Sequence, residues 1–357
     1  MSSLLAAFLS SFVATLLIIR FKHLHEQFSA DSDLSGPQKF HTQVVPRIGG
    51  ISIAIGIFAA LLLRLKNNHA PITEITLLVC AIPTFAIGLT EDLTKKISVR
   101  LRLIFTAIAA MLLVYLMPAQ ITRLDIPYLD FALGVPIIGA AITVFAITGL
   151  ANAYNIIDGF NGLASMVGII TLLAISYVSY VVADPQIMYL SLIMAASILG
   201  FFVWNYPRGL IFLGDGGAYL IGFWIASLSV MLTYRHQEIS PWFALLINGY
   251  PILETLFTIY RRKIHQGKSP GQPDGIHFHT LIYRRILRPH CNESVFSANA
   301  RTAPYLWALT ILGITPAILW WESTPILMAA SLVFIIYYVR IYSKIVRFKA
   351  PRWMHIG

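Results

Sequence analysis

Long apolar segments, separated by short polar ones, make up most of the sequence. Eleven of these segments approach the length that a helix needs to cross the hydrocarbon core of a membrane. They cover residues 4–19, 48–63, 75–89, 103–116, 135–149, 163–181, 188–204, 211–234, 242–260, 303–320 and 325–339. The pattern predicts an all-α, polytopic integral membrane protein with about eleven transmembrane helices, folded as a single domain over residues 1–357.

The composition agrees with this prediction. Of the 357 residues, 57% are hydrophobic and 12% are charged, and the mean hydropathy is +0.73. A soluble domain carries about 25% charged residues, so a soluble protein is excluded. The net charge of +10 indicates basic loops that contact membrane lipids, and we expect no nucleic-acid partner.

Two smaller features concern the cysteines and the N-terminal segment. Cys80 falls in an apolar segment and Cys291 in a basic loop, so we expect no disulfide. The first apolar segment precedes the charges of Arg20 and Lys22, whereas a signal peptide carries its charges first, so we expect no cleavable signal peptide.

Positive charge is distributed unevenly between the two sides of the predicted membrane domain. With eleven crossings, 22 of the 26 basic residues fall on one side, including a large loop at 261–302 and a tail at 340–357. The other side holds only Arg64, Lys66, Arg123 and Arg235. Because basic loops stay in the cytoplasm, we predict an external N-terminus and a cytoplasmic C-terminus.

The polar stretch NAYNIIDGFNGLA, at 152–164, interrupts the apolar pattern. Asn152, Asn155, Asp158 and Asn161 recur at every third position, with glycines between them. Amides and a carboxylate this close to the membrane are costly unless they face water, a ligand or a metal. A polar loop between helices is the alternative, but the stretch lacks the Lys, Glu, Ser and Pro of most solvated loops. We therefore favour a ligand site.

Two further acidic motifs fall, like the 152–164 stretch, on the predicted cytoplasmic face. Glu91 and Asp92 end the third span, where they could share a divalent cation or simply cap a helix next to lysines. Asp215 lies within GDGG at 214–217, where glycine amides could meet phosphate and the Asp could hold Mg²⁺. An Asx-turn or helix N-cap remains the alternative for Asp215. Phe212 could stack on a base, although a lipid- or core-facing aromatic is the more ordinary role.

Basic and imidazole side chains add a third group. His277 and His279 lie in the large loop, two positions apart, which puts them on one face of an extended segment and on different faces of a helix. They lack the companions that zinc requires, and an anionic ligand suits them better. Lys39 and His41 precede PRIGG at 46–50 and could bind a lipid phosphate, or simply attract anionic headgroups. We expect all these clusters to meet on one membrane face, an arrangement typical of phosphoryl transfer between a lipid and a water-soluble substrate.

These motifs, in this order, resemble those of the polyprenyl-phosphate N-acetylhexosamine-1-phosphate transferases, a glycosyltransferase 4 type family, and more distantly phospho-N-acetylmuramoyl-pentapeptide transferase. The resemblance runs from Lys39 to Thr280. It implies a bacterial inner-membrane enzyme that transfers a sugar 1-phosphate from a UDP-sugar to undecaprenyl phosphate, releases UMP and requires Mg²⁺, for which Mn²⁺ could substitute. The product would begin a cell-surface glycan such as O-antigen.

The resemblance also implies roles for individual residues. Asp215 matches the magnesium ligand, and Glu91 and Asp92 match paired acids that handle the lipid phosphate and assist the metal. The nucleotide-site motif corresponds to Asn152, Asn155, Asp158 and Asn161, the uracil-stacking position to Phe212, and the nucleotide-sugar loop to His277 and His279. Four positions depart from the family pattern, namely Glu91 for Asp, Asn161 for Asp, Ala218 for Ser and Thr280 for a third His.

Several alternatives stay open at this point. Direct attack by the lipid phosphate is favoured over a covalent phosphoryl-Asp158, because a phosphate monoester is mostly ionised at neutral pH and needs no strong base. A transporter of an anionic substrate would spread polar groups across the membrane, and an inactive member of the same fold would keep the motifs. The sugar and the oligomeric state, monomer or homodimer, are not determined.

Overall fold

A computed structural model describes residues 1–31, 45–66, 72–265, 267, 275–288 and 295–348. Lys39, His41 and Cys291 lie outside these ranges. In chain order the helices are α1 (Ser2–Arg20), α2 (Lys22–Ser29), α3 (Gly49–Lys66), α4 (Ile72–Thr94), α5 (Val99–Leu116), α6 (Pro127–Leu133), α7 (Pro136–Ile157), α8 (Leu163–Val181), α9 (Pro185–Asn205), α10 (Gly214–Arg235), α11 (Pro241–Ile247), α12 (Gly249–Tyr260), α13 (Phe278–Ile282), α14 (Val295–Leu319) and α15 (Thr324–Val346). Short π-helical turns follow α12 and α13, and a two-residue antiparallel pair joins β1 (Ala30–Asp31) to β2 (Val45–Pro46).

Within the described ranges, ten helices are long and apolar enough to cross a membrane, and α11 with α12 makes an eleventh crossing if the bent pair is one span. The chain is therefore a multi-pass membrane protein, and the predicted all-α polytopic fold is confirmed. Consecutive crossings run in opposite directions. The ends of α4, α7 and α9 consequently share one face, here called the site face, with the beginnings of α3, α5, α8 and α10.

The predicted span at 242–260 is not one straight helix. α11 and the helical segment that begins at Gly249 meet at a bend of 75° beside Asn248. Glycine is a poor helix former, and Pro251 has no N–H to donate to the preceding turn, so the sequence Asn-Gly-Tyr-Pro favours a break. The bend divides the ninth predicted span into two helices.

Several predicted spans are parts of longer helices, and two of these extensions affect the site. α7 continues to Ile157, so Asn152 and Asn155 lie inside a helix rather than in the loop after it. α4 continues to Thr94, which places Asp92 in its last turns. In both cases polar side chains find partners on neighbouring helices, and tertiary contacts of this kind outweigh weak helix propensity.

α10 is the central helix of the fold. Every residue from Gly214 to Leu232 is buried, and the helix packs against α3, α4, α7, α8 and α9. A helix that is apolar on all sides is expected to be surrounded by others. The beginning of α10, which carries Asp215, is therefore fixed by contacts on every side.

Candidate active site

Two acids and two arginines meet on the site face. Arg47 contacts an Asp215 oxygen through a terminal nitrogen, and its Nε lies 3.4 Å from Asp92 Oδ1. Arg102, in the first turn of α5, contacts the other Asp215 oxygen. We call these four residues the carboxylate–arginine cluster. Both acids are buried, and the two guanidinium charges offset the repulsion between the carboxylates.

Asp92 accepts hydrogen bonds from the beginning of α10. Its Oδ1 accepts the N–H of Asp215 and its Oδ2 the N–H of Gly216, each at 2.8 Å. The expectation that the amides of the GDGG motif are free for phosphate was wrong for these two amides. The alternative of Asp215 as a helix N-cap was also wrong, because Leu213 occupies that position.

Backbone hydrogen bonds join the segment before α3 to the segment before α10. The N–H of Phe212 donates to Pro46 at 2.8 Å, and the N–H of Gly49 donates back to Phe212 at 3.0 Å. The pairing holds Arg47 beside the beginning of α10. The Phe212 side chain is half-buried at this junction, and its role in uracil stacking stays a prediction.

Glycine backbones pack closely behind the cluster. A Cβ atom on Gly88 would lie 2.7 Å from the Cα of Gly216, and one on Gly50 would lie 2.6 Å from the Cα of Gly217. Real Cβ atoms do not approach backbone this closely, so a side chain at either position would separate α4 or α3 from α10. The PRIGG and GDGG glycines thus allow the close approach of three helices.

The asparagines of the central motif have different environments. Asn152 Oδ1 accepts the hydroxyl of Tyr219 at 3.0 Å, which links α7 to α10. Asn155 is half-buried one turn later. Asn161 is buried, and its Nδ2 donates to the carbonyl of Pro207 at 3.1 Å. Asn161 therefore supports the loop before α10, and its substrate-binding role, like those of Asn152 and Asn155, stays a prediction.

Asp158 lies at the C-cap of α7 and interacts electrostatically with Arg47 of the cluster. Burial raises the pKa of its carboxyl to about 7, while the charge of Arg47 acts in the opposite direction. Asp92 and Asp158 also interact electrostatically. The acids Asp92, Asp158 and Asp215 thus share one face, as the sequence predicted.

The two loop histidines meet the central motif. The rings of His277 and His279 stack with their centroids 5.1 Å apart, because His277 is extended and precedes α13 while His279 lies in its first turn. The ring of Phe160 lies 5.5 Å from that of His279. A Cβ atom on Gly159 would lie 3.0 Å from Nε2 of His279. The large loop therefore reaches the NAYNIIDGFNGLA motif through His279.

Glu254, on α12, is a residue of this site that the sequence analysis missed. Its Oε1 lies 2.9 Å from Nδ1 of His277 and accepts the N–H of Phe278 at 3.1 Å. Its Oε2 accepts the hydroxyl of Tyr338 at 2.8 Å. A single carboxylate inside the apolar segment 242–260 was the signal that could have revealed it.

Arg102 and Glu91 lie on either side of the turn between α4 and α5. Arg102 was counted only as a positive charge in a loop, and nothing in the local pattern indicated its contact with Asp215. Glu91 Oε2 accepts the N–H of Ile97 at 2.6 Å, which closes the turn between α4 and α5. This geometry fits the helix-end interpretation of Glu91, and its catalytic role stays a prediction.

The acids of the site could hold a metal ion only with help from substrate or water. Among the described residues no group of three or more His, Cys, Asp or Glu side chains could hold a metal. Mg²⁺ is usually bound by one or two carboxylates together with substrate phosphates and waters, so the buried carboxylate of Asp215 fits that ion. The arginines that contact Asp215 would have to move aside for it.

Known proteins resemble this chain over about 70% of its length. Residues 74–233 match glycosyl transferase family 4. The chain is 31% identical over 258 residues (71% of this chain, 73% of the relative) to the undecaprenyl-phosphate alpha-N-acetylglucosaminyl 1-phosphate transferase of Thermotoga maritima. It is 30% identical over 249 residues (69% and 68%) to a Bacillus subtilis protein named "Probable undecaprenyl-phosphate N-acetylglucosaminyl 1-phosphate transferase". An Escherichia coli K12 protein with the same name as the Thermotoga enzyme is 28% identical over 253 residues (69% and 67%).

Proposed function

This chain belongs to glycosyl transferase family 4, and from that membership we propose that it transfers an N-acetylhexosamine 1-phosphate from a UDP-sugar to undecaprenyl phosphate and releases UMP. The names of its relatives support this acceptor and this reaction. The observation that carries the proposal is the buried carboxylate–arginine cluster at a membrane face. Such a cluster suits a reaction between a lipid phosphate, which arrives from the bilayer, and a diphosphate, which arrives from water.

The proposed chemistry is a single in-line displacement. An oxygen of the prenyl phosphate attacks the β-phosphorus of the UDP-sugar, a new P–O bond forms, and the bond to the bridging oxygen breaks as UMP leaves. The second pKa of a phosphate monoester is about 6, so the attacking phosphate is already largely ionised at neutral pH. The site therefore needs to position and neutralise the phosphates more than to remove a proton.

Charge neutralisation would come from a metal ion bound at the cluster and from the cluster's two arginines. Mg²⁺, bound through Asp215, would offset the charge of the diphosphate when it is present. Arg47 and Arg102 carry planar guanidinium groups that suit phosphate oxygens. On substrate binding we expect both arginines to exchange Asp215 for phosphate.

The nucleotide and the sugar would bind beside the cluster. We assign the nucleotide to the end of α7, with Asn152, Asn155 and Asn161 in its walls and Phe212 as the base-stacking group. His277 and His279 would contact the nucleotide-sugar. His279 stacks on His277 and lies against Gly159, and this contact supports the assignment because it places the large loop against the central motif.

The two-step route through phosphoryl-Asp158 is the less favoured mechanism. One displacement inverts the configuration at phosphorus, whereas two displacements retain it. A β-phosphorus-labelled chiral UDP-sugar should therefore give inverted product, and rapid quench should trap no labelled protein. Retention of configuration, with hydroxylamine-labile label on the protein, would establish the two-step route.

The test of the function uses the purified full chain in detergent with undecaprenyl phosphate and Mg²⁺. A panel of UDP-GlcNAc, UDP-GalNAc and modified deoxy-sugar donors is scored for UMP and for a lipid-linked sugar. We expect one donor to give both products in equal amounts, and omission of the lipid to abolish both. If no donor reacts with folded protein, the chain is an inactive member of the family. Neither the transporter interpretation nor a specific pathway such as O-antigen synthesis has an observation of its own in its favour.

A further inference from the structure

The beginning of α10 has no cap of its own. The preceding residue, Leu213, makes no side-chain hydrogen bond to the first turn. The N–H groups of the first turn of a helix have no partners within the helix, and leaving them unpaired in a buried position is costly. The amides of the second and third residues, Asp215 and Gly216, are the two that an N-cap side chain normally accepts.

Asp92 supplies this cap from another helix. Each of its oxygens accepts one of the two amides at 2.8 Å, and the residue is 1% exposed. Gly214 makes room for the carboxylate, because its φ is +77° and a Cβ atom there would lie 2.6 Å from Asp92 Oδ2. A carboxylate at a helix N-terminus is also favoured by the helix dipole.

We propose that Asp92 is a positioning residue, which caps α10 in trans and so fixes the carboxylate of Asp215, and that it neither takes a proton from substrate nor holds the metal directly. Both of its oxygens are committed to backbone amides, and Arg47 lies 3.4 Å from one of them. The inference rests on the proposed function only in taking Asp215 as the metal-binding group. It replaces the prediction that Asp92 handles the lipid phosphate and assists the metal.

The two roles make different demands on the side chain. A cap requires a hydrogen-bond acceptor. Asn keeps one acceptor oxygen for one of the two amides and leaves the other amide unpaired, whereas Ala accepts neither. A general base or a metal ligand requires the carboxylate itself. Asp92→Asn and Asp92→Ala should therefore differ if Asp92 is a cap, and should be equally inactive if it acts chemically.

The test compares these two variants of the full chain by three measurements. Hydrogen–deuterium exchange reports the amides of Asp215 and Gly216, titration of free Mn²⁺ reports the metal site, and UMP release gives kcat and KM. We expect Asp92→Asn to stay within about tenfold of wild type in kcat and in Mn²⁺ affinity, and Asp92→Ala to lose about 100-fold in kcat. Exchange of the two amides should rise about tenfold in Asp92→Ala and less in Asp92→Asn.

The matched control is Asp184, which caps α9 in cis on the opposite face by accepting the amides of Gln186 and Ile187 at 3.1 and 3.0 Å. Asp184→Ala should lower thermal stability yet leave kcat, KM and Mn²⁺ affinity unchanged. Equal inactivity of the two Asp92 variants, loss of Mn²⁺ binding in Asp92→Asn, or unchanged amide exchange in Asp92→Ala would each overturn the proposal. If Asp92→Ala does not fold, Mn²⁺ binding by Asp92→Asn decides. If wild type transfers no sugar, amide exchange still tests the cap, so the two failures are distinguishable.

Discussion

At the scale of single residues, the proposed chemistry depends on Asp215. Its carboxylate contacts both arginines of the cluster and lies at the beginning of the central helix. Asp215→Asn keeps the shape of the side chain but removes the charge that would bind Mg²⁺. We expect transfer to fall by about 1,000-fold, which corresponds to about 4 kcal/mol of transition-state stabilisation.

The measurement is UMP release by variant protein that inserts, purifies and elutes as wild type does. Glu238→Gln is the control, because Glu238 is an exposed acid on the opposite face and should be dispensable. Near-normal turnover of Asp215→Asn would remove the metal assignment.

Glu254 is the second residue whose loss should be informative. Three donors converge on its buried carboxylate, from His277, Phe278 and Tyr338. Glu254→Gln turns one acceptor into a donor and leaves a buried donor unpaired, which costs about 1–3 kcal/mol. We expect the Tm to fall by several degrees and the KM for the UDP-sugar to rise, because His277 loses the partner that orients it.

Thermal unfolding and steady-state kinetics check this expectation. Tyr338→Phe is the matched control, since it removes one donor and leaves the carboxylate bonded to His277. It should lower the Tm with a smaller change in KM. A Glu254→Gln protein with unchanged Tm and KM would contradict the role given to the network.

At the scale of elements, the crossing of α4 with α10 depends on glycine. Because a Cβ atom on Gly88 would lie 2.7 Å from both N and Cα of Gly216, Gly88→Ala must separate the two helices. Overpacking of this kind costs about 1–3 kcal/mol, and the resulting shift would move Asp92 away from α10. We expect a lower Tm and at least about a tenfold loss of transfer activity.

Gly149 on α7 provides the control for this substitution. It lies within a transmembrane helix like Gly88, but nothing lies within 4 Å of a Cβ atom placed there. Gly149→Ala should be neutral or raise stability by up to about 1 kcal/mol. Equal Tm values and equal UMP release for the two variants would show that the close crossing of α4 and α10 contributes to neither stability nor activity.

The beginning of α9 predicts a pH dependence of stability. Burial acts to raise the pKa of Asp184, but the hydrogen bond from Ile187 N–H and the contacts of His236 and Arg235 outweigh it, so the pKa lies below its ordinary value. A carboxyl with a lowered pKa contributes stability above its unfolded value, about 3.9, and loses that contribution as the pH falls through the folded value.

Wild type should therefore be more stable than Asp184→Asn at pH 6, and the difference should shrink toward pH 3. Thermal unfolding of both proteins in the same detergent, at several pH values, measures the difference. Other carboxylates that titrate in this range are the same in both proteins, so their contribution cancels in the difference between wild type and variant. A difference that is constant with pH would mean that the charge of Asp184 contributes nothing.

At the scale of the whole molecule, the ten crossings of the described residues, with the bent pair as an eleventh, would put the chain termini on opposite sides of the membrane. Because the basic loops adjoin the site face, we expect that face and the C-terminus to be cytoplasmic. A fluorescent protein fused to the C-terminus should therefore fluoresce in bacteria, and alkaline phosphatase at the same position should be inactive. Alkaline phosphatase inserted at 67–71, between α3 and α4, is the control and should be active. The opposite pattern would place the site outside. The homodimer alternative stays untested.

Much of the fold followed from the sequence because membrane spans are determined locally. A run of apolar residues must satisfy its backbone hydrogen bonds within a helix when lipid surrounds it. The pattern of apolar runs along the chain therefore predicted most of the crossings. The exceptions were local conflicts. Asn248 and Pro251 broke an apolar segment. Asn152 and Asn155 lie inside a helix that was predicted to end before them because they are polar.

The candidate site was predictable only in part. Motifs with several polar residues, such as 152–161 and 214–217, stood out against an apolar background, and the sequence placed them correctly on one face. Arg102 gave no local signal, and Glu254 gave only that of a lone carboxylate in an apolar segment, because the importance of each comes from a partner more than twenty residues away.

The sequence by itself therefore determined the class of protein, the approximate number of crossings and the face on which its polar motifs lie, since these depend on hydropathy and on charge counted along the chain. Tertiary structure alone decided what each side chain does there. Asp92 is adjacent to Glu91 in sequence, yet its oxygens cap a helix that begins more than 120 residues later. Hydrogen bonds are short and directional, so such a role is fixed only when glycine-lined helices bring the two segments into contact.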